Sequence, residues 1–243
     1  MSLERIDKLI TSQGTLSRTE AKKLIKANLV RANGQAVKRP EEKFDTTNVQ
    51  IEIDGRLLEY KKYIYIMLNK PKGVVSASRD NKTKTVVDLV PDNLLRNGLF
   101  PAGRLDADTT GFVLITDDGE FAHDILSPKN HIEKTYKATL AHEVTGSDIK
   151  MFEQGIELSD GTKCMSAKVE IFKTQPEPVV IIKICEGKYH QIKRMFAATG
   201  NKVVELKRIA MGNLPLDTSL EPGECREISK EELNLIKYLD KNL

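Results

Sequence analysis

Apolar and polar positions follow two rhythms along this chain. Over the first 59 residues the rhythm is mainly helical: "RIDKLITSQ" is amphipathic, and "GTLSRTEAKKLIKANLV" repeats the pattern, with Ser17 as N-cap and Glu20 three residues on as its capping-box partner. "NGQAVKRPEEKF" is rich in turn formers, and "NVQIEIDG" alternates as a strand running into an Asp-Gly turn. "LEYKKY", residues 58 to 63, is polar and short and reads as a linker. Beyond it come short apolar strands at "YIYIML", "GFVLIT", "KTYKATL", "KCMSAKVEIF" and "PVVIIKI", with helical patterns at "DGEFAHDIL", "SDIKMFEQG", "YHQIKRMFAAT" and "SKEELNLIKYL". Strands joined by Gly and Pro turns and interrupted by few helices predict an α+β fold with a mixed, mainly antiparallel sheet. The expected domains are residues 1–59 and 60–243.

Composition narrows the class. With 243 residues, 30% charged and 40% hydrophobic, the chain suits one sizeable core with a small domain attached, and argues against disorder. No apolar run approaches the roughly 18 residues of a membrane helix, and "MSLERIDKLI" lacks the continuous apolar segment of a secretion signal. A cytoplasmic location with no membrane partner is expected. Cys164, Cys185 and Cys225 are odd in number and widely spaced, which indicates neither a disulfide framework nor a zinc site. Nothing reads as an association face, so a monomer is the default. The net charge of +3 says less than its placement. Arg18, Lys22 and Lys26 recur every four residues on one helical face, with Lys23 and Arg31 close by and Glu20 the single acid among them. On its own such a run is most often a solvated face.

The chemistry concentrates in "AGRLDADTTGFVLITDDG", residues 102 to 119. Asp106, Asp108 and Gly111 imitate the start of a calcium loop, but the fifth position is Thr110, the twelfth is Asp117 in place of the longer glutamate, and "PAGRL" is not helical. A metal site is not expected. No G-x-S-x-G elbow marks a serine nucleophile, and neither a G-x-G-x-x-G nor a P-loop occurs, so no cofactor is implied. Asp108, Asp117 and Asp118 read as turn and helix caps. Asp106 stands apart because of its setting and of what lies elsewhere in the chain.

"RIDKLI", "SRTEAKKLIKANLVRANGQAV" and "VQIEIDG" together resemble an S4 domain, a compact RNA-binding module, over nearly all of the first 59 residues. That resemblance implies a basic helical face on structured RNA, with Arg5, Arg18, Lys22, Lys23, Lys26 and Arg31 contacting phosphates more than base edges. "GRLDADTTGFVLITDDG" resembles the signature of RNA pseudouridine synthases. "NKPKGVVSA", "EKTYKATL" and "EGKYHQIKRMFAATGNKVVELKRIAMG" stand in that family's order, so the likeness covers most of residues 63 to 230. It implies isomerisation of uridine to pseudouridine without a cofactor. The N1 link between base and ribose is broken, the base turns, and C5 is joined to the ribose instead.

In this resemblance Asp106 is the nucleophile. Lys193 matches the basic partner, with Arg194 its adjacent rival: one would pair with Asp106 and the other face phosphate, since successive helical residues point about 100° apart. Tyr136 matches the aromatic residue that stacks on the target base. Arg104, His190, Gln191 and Arg194 are expected to contact substrate. Residues 183 to 208 hold seven Lys/Arg against Glu186 and Glu205, the expected wall of an RNA cleft. The S4-like module and "HQIKRM" resemble the branch acting on ribosomal RNA, and "SPKNHIEKTY" its small-subunit members, which modify 16S rRNA at position 516. A synthase acting on 23S rRNA, or an RNA-binding assembly factor without catalysis, is the alternative.

Overall fold

A computed structural model describes residues 3–14 and 16–237. It forms two compact units, one reaching Ile64 and including Val90–Leu99, the other made of Tyr65–Leu89 and the chain from Phe100 onward.

The first unit runs β1 (Leu3–Arg5), α1 (Ile6–Ser12), α2 (Arg18–Lys26), β2 (Val30–Ala32), β3 (Gln35–Ala36), β4 (Lys43–Asp45), β5 (Ile51–Ile53) and β6 (Arg56–Leu58). β1 pairs with β4, and the other four form a sheet in the order β3-β2-β5-β6. Its core is the apolar face of the two helices, Ile6, Leu9, Ile10, Ala21 and Ile25, against Val30, Val37 and Ile51. α2 starts at the expected capping box: Glu20 N donates to Ser17 Oγ at 3.3 Å, and Ser17 N donates to Glu20 Oε2 at 2.8 Å. Between β5 and β6, Asp54 and Gly55 both take positive φ, which a two-residue hairpin turn of matching twist requires.

The expected boundary at residue 59 falls inside this unit. In the segment read as a linker, Lys61 is hydrogen-bonded on both sides of its backbone: its N–H donates to Gln13 Oε1 at 3.0 Å, and its carbonyl accepts from Gln13 Nε2 at 3.2 Å and Arg96 Nη2 at 2.9 Å. Arg96, buried, also donates from Nε to Ser12 O at 2.7 Å. Residues 90–99 therefore return to the first unit through a side chain that no local pattern distinguishes from an ordinary surface arginine.

The second unit runs β7 (Tyr65–Lys70), β8 (Phe100–Ala102), β9 (Thr110–Thr116), α3 (Gly119–Leu126), β10 (Lys134–Leu140), α4 (Gly146–Gln154), β11 (Lys168–Lys173), β12 (Val179–Ile184), α5 (Gln191–Ala198), β13 (Val203–Met211), β14 (Leu214–Pro215), β15 (Cys225–Glu227) and α6 (Lys230–Lys237). The predicted α6 region also includes residues 238 and 239, which lie outside the described residues. Nine strands form one sheet in the order β11-β12-β10-β13-β9-β7-β15, with β8 on β9 and β14 on β13. The fold is α+β, and among these pairings only β13 with β9 is parallel. No helix among the described residues is long and apolar enough to cross a membrane.

β13 is central and was not among the expected strands. "VVELKRIAM" has charged residues at three of its nine positions, and Arg208, one of them, is buried. Its parallel pairing with β9 places the functional elements. Two parallel neighbours begin at the same end of a sheet, so the loop before β9 and the helix before β13 emerge together. Gly111 makes the close approach possible: its φ is +97°, and a Cβ there would lie 2.2 Å from Arg208 O.

Candidate active site

The loop before β9 carries Asp106, and its backbone is fixed from two sides. Ser76 Oγ accepts from Leu105 N and donates to Leu105 O, both at 3.0 Å. Gly73 N donates to Ala107 O at 2.8 Å. From the end of β7, Lys70 is fully buried, and its ammonium donates to Pro71 O at 3.1 Å, Ala107 O at 3.2 Å and Thr109 O at 2.8 Å. Burial lowers the Lys70 pKa to about 8, against the opposing pull of Asp108 and Asp106. Three carbonyls use all three donors of one ammonium, so this side chain ties the aspartate loop to the sheet.

α5 supplies the facing groups. Ile192, Met195 and Phe196 are buried, which turns Lys193 outward to the loop. Lys193 Nζ stands 3.3 Å from Asp106 Oδ2 and donates to Asp108 Oδ1 at 2.6 Å. Burial works against the Lys193 charge, but the Asp108 hydrogen bond and the Asp106 charge outweigh it and raise its pKa above the ordinary lysine value. Asp108 is held below its ordinary value, first by the hydrogen bond from Lys193. On the other side of Asp106, His190 Nε2 lies 3.4 Å from Oδ1. His190 reaches it from a left-handed backbone position, φ 48° and ψ 33°, just before α5. Asp106 itself is partly open, its side chain 30% exposed. Arg104, Asp106, Tyr136, His190, Lys193 and Leu206 all line one cavity. Tyr136, on β10, is 7% exposed. Arg208, paired with it across β13, places its guanidinium 6.0 Å from the centre of the Tyr136 ring while donating from Nε to Phe112 O at 2.7 Å.

The arrangement is thus a half-open carboxylate between an ammonium and an imidazole, beside an aromatic side chain. Such a site can attack or stabilise an electron-poor carbon while a flat base lies against a ring. The chain matches the family model for RNA pseudouridylate synthase over residues 64–198 and that for the S4 domain over residues 4–49. The chain belongs to the RNA pseudouridylate synthase family. A Bacillus subtilis protein named as an uncharacterized RNA pseudouridine synthase is 45% identical, covering 96% of this chain and 98% of its own. The Escherichia coli ribosomal small subunit pseudouridine synthase A is 42% identical, covering 94% and 98% respectively. A crystal structure titled pseudouridylate synthase superposes with a TM-score of 0.67 at 40% identity, covering 96% of this chain and 99% of that one.

Within this synthase fold the expected site residues separate. Lys193, not Arg194, faces Asp106. Arg194 turns away: its Nη2 pairs with Asp160 Oδ2 at 2.6 Å. Gln191 lines the cavity but is buried and committed, its Nε2 donating to Glu186 Oε1 at 2.7 Å and its Oε1 accepting from Lys188 N at 2.9 Å. It shapes the turn before α5. Arg104 is exposed, with no ion pair or hydrogen bond among the described residues. Asp118 caps α3 as expected, accepting from Phe121 N at 3.0 Å. Asp108, read as a turn cap, is instead the nearer partner of Lys193.

The basic stretch 183–208 is largely neutralised by pairing. Lys188 pairs with Glu186 at 2.6 Å and Lys183 with Glu170 at 3.9 Å, and Arg208 is buried. In the first unit the expected cations stay outside: Arg18, Lys22, Lys23, Lys26 and Arg31 are exposed, with no ion pair among the described residues. Arg5 differs, donating from Nε and Nη2 to the two Asp7 oxygens at 3.0 and 2.8 Å.

Sequence reasoning assigned no role to Lys70 and placed Arg208 in the cationic wall of an RNA cleft, whereas Arg208 is buried and donates to Phe112 O. Lys70 ends an apolar run inside "NKPKG", and that abrupt cation was the one available signal.

Proposed function

We propose that this chain, a pseudouridine synthase, converts a uridine of 16S ribosomal RNA to pseudouridine, with Asp106 as nucleophile and Lys193 as the cation that faces its carboxylate. It works in the cytoplasm as a monomer. The observation that carries this reading is the Asp106 carboxylate held between Lys193 and His190 in the cavity that Tyr136 also lines. The uridine leaves its stack and its base lies against Tyr136. Cleavage of the N1–C1′ bond leaves an electron-poor ribose carbon or an adduct on Asp106. After rotation the C5–C1′ bond forms, C5 gives up its proton and N1 gains one, so no group is gained or lost and no cofactor enters. Arg104, exposed, lining the cavity and without an ion pair among the described residues, meets the backbone phosphate of the extruded nucleotide.

The exposed cations of α2 grip structured RNA and raise the local concentration of substrate. Relatives named for the small ribosomal subunit favour 16S over 23S rRNA as the target. The half-open Asp106 carboxylate facing the cavity that Tyr136 lines favours catalysis over RNA binding alone.

Mapping pseudouridine in ribosomal RNA from cells lacking this protein tests the reading. Loss of one site in 16S rRNA, restored by the wild-type gene but not by Asp106→Asn, is expected. Loss in 23S rRNA would move the target, and an unchanged map would refute the activity.

A further inference from the structure

Tyr189 is the most exposed of the large hydrophobic side chains among the described residues, at 75%, yet the residues on either side of it, Lys188 and His190, line the Asp106 cavity. One face of its ring is covered: it stacks on His190 with centroids 3.9 Å apart and planes 18° from parallel. His190 in turn lies 3.4 Å from Asp106 Oδ1, so a flat two-ring pile begins at the nucleophile and ends in solvent.

The turn that carries the pile is rigid. Gln191 N donates to Lys188 O at 3.1 Å, Lys188 N donates to Gln191 Oε1 at 2.9 Å, and buried Glu186 accepts from Met165 N, Gln191 Nε2 and Lys188 Nζ. Arg194 Nη1 also donates to Tyr189 O at 3.4 Å. The backbone under the ring is therefore held in place before any ligand arrives, and the ring itself rests on His190 with most of its surface exposed.

Building on the proposed reaction, we propose that the open face of Tyr189 is a stacking platform for the nucleobase next to the target uridine. Extruding a uridine deprives its neighbour of a stacking partner, and the platform replaces that partner where the loss occurs. Aromatic faces accept any base, so stacking secures the flank without spelling it. Arg104, lining the same cavity and exposed, suits an accompanying phosphate.

The test is a mutant cycle on a short RNA stem-loop carrying the target, intact or with an abasic nucleotide on the 5′ or the 3′ side. Tyr189→Ala should raise KM about tenfold, the loss falling on KM rather than kcat, while Tyr189→Phe behaves as wild type. An abasic nucleotide on one side should cost wild type the same factor and cost Tyr189→Ala nothing further. Independent losses on both sides overturn the proposal. So does a fall in kcat at constant KM, which would mean that Tyr189 only positions His190. The same cycle measured as Kd on the Asp106→Asn background needs no turnover. There, coupling supports the platform and its absence refutes it, whereas failure of wild type to form pseudouridine refutes only the proposed reaction.

Discussion

The cations of α2 and those around the Asp106 cavity are used in opposite ways. On α2 the Arg18, Lys22 and Lys26 side chains are exposed without ion pairs among the described residues, whereas around the cavity Lys70, Lys193, Lys188 and Arg194 are all tied to carbonyls or carboxylates. An unpaired surface cation keeps its charge available for phosphate, whose binding releases counterions. A paired cation has committed its charge to geometry and holds an acid or a loop where it must be. Counting lysines and arginines along the chain therefore overstates the RNA-gripping power of residues 183–208 and understates that of α2.

The sharpest break between the two uses is Asp106→Asn. It should lower the rate by on the order of 10⁴-fold or more while RNA affinity stays close to wild type. Equal loss of rate and affinity would show that Asp106 serves binding. Lys193→Met comes next, with a rate loss of about 10²-fold in single-turnover assays. Lys193→Arg should recover part of it, and Asp108→Asn should cost less than either, because it leaves Lys193 to Asp106 alone. A larger effect from Asp108 than from Lys193 would reverse their roles.

Lys70 adds a pH signature. Its pKa is about 8 in the folded chain against 10.5 for a free lysine, so between those values the folded chain has released a proton that the unfolded chain retains. Linkage then makes stability rise with pH across this window. Activity should move the other way. A neutral amine has two N–H donors for three carbonyls, and the Asp106 loop loosens. The expected result is a rate that falls several-fold above about pH 8 while the melting temperature does not fall from this group. Lys70→Met should show a lower plateau without that limb. Lys134, also lowered to about 8 by burial and by Arg208, has its ammonium on Cys185 O and on no part of the Asp106 loop among the described residues, so Lys134→Met should keep the limb.

On α2 the contrast predicts a purely electrostatic change. Replacing Arg18, Lys22 and Lys26 with alanine should weaken RNA binding by on the order of tenfold and flatten its salt dependence by about one unit of slope for each phosphate no longer neutralised. The single-turnover rate at saturating RNA measures whether the loss stays in binding. A rate deficit that persists there would contradict a gripping role.

What could be read from the sequence was local. The Ser17–Glu20 box, the Asp54–Gly55 turn and the Asp118 cap each sit within four residues of the groups they satisfy, and the apolar runs of β7, β9, β10 and β12 are short segments contiguous in sequence. Asp106 was legible through its motif. What stayed hidden depends on distant pairing. Lys70 is buried because carbonyls at 71, 107 and 109 converge on it, and a lysine closing a strand pattern is ordinarily exposed. β13 is central although charged, because Arg208 finds Phe112 O across a parallel pair. The Asp108–Lys193 hydrogen bond spans 85 positions, and no turn rule anticipates it.

The choice between Lys193 and Arg194 shows the same limit and yields the smallest prediction. Helical geometry requires that adjacent residues diverge, but it cannot say which of them faces the loop, because the rotation of α5 is set by the burial of Ile192, Met195 and Phe196 in tertiary packing. Once α5 is docked, Arg194 meets Asp160, whose carboxyl is held down to about 2, first by Thr162 and then by Arg194 itself. Asp160 is open to solvent, and exposed pairs of this kind contribute little to stability. Arg194→Ala should thus leave rate, affinity and melting temperature near wild type, in contrast to the neighbouring Lys193→Met. If Arg194→Ala instead lowers RNA affinity and flattens its salt slope, Arg194 leaves Asp160 for phosphate when RNA arrives, and this paired cation would belong with those of α2.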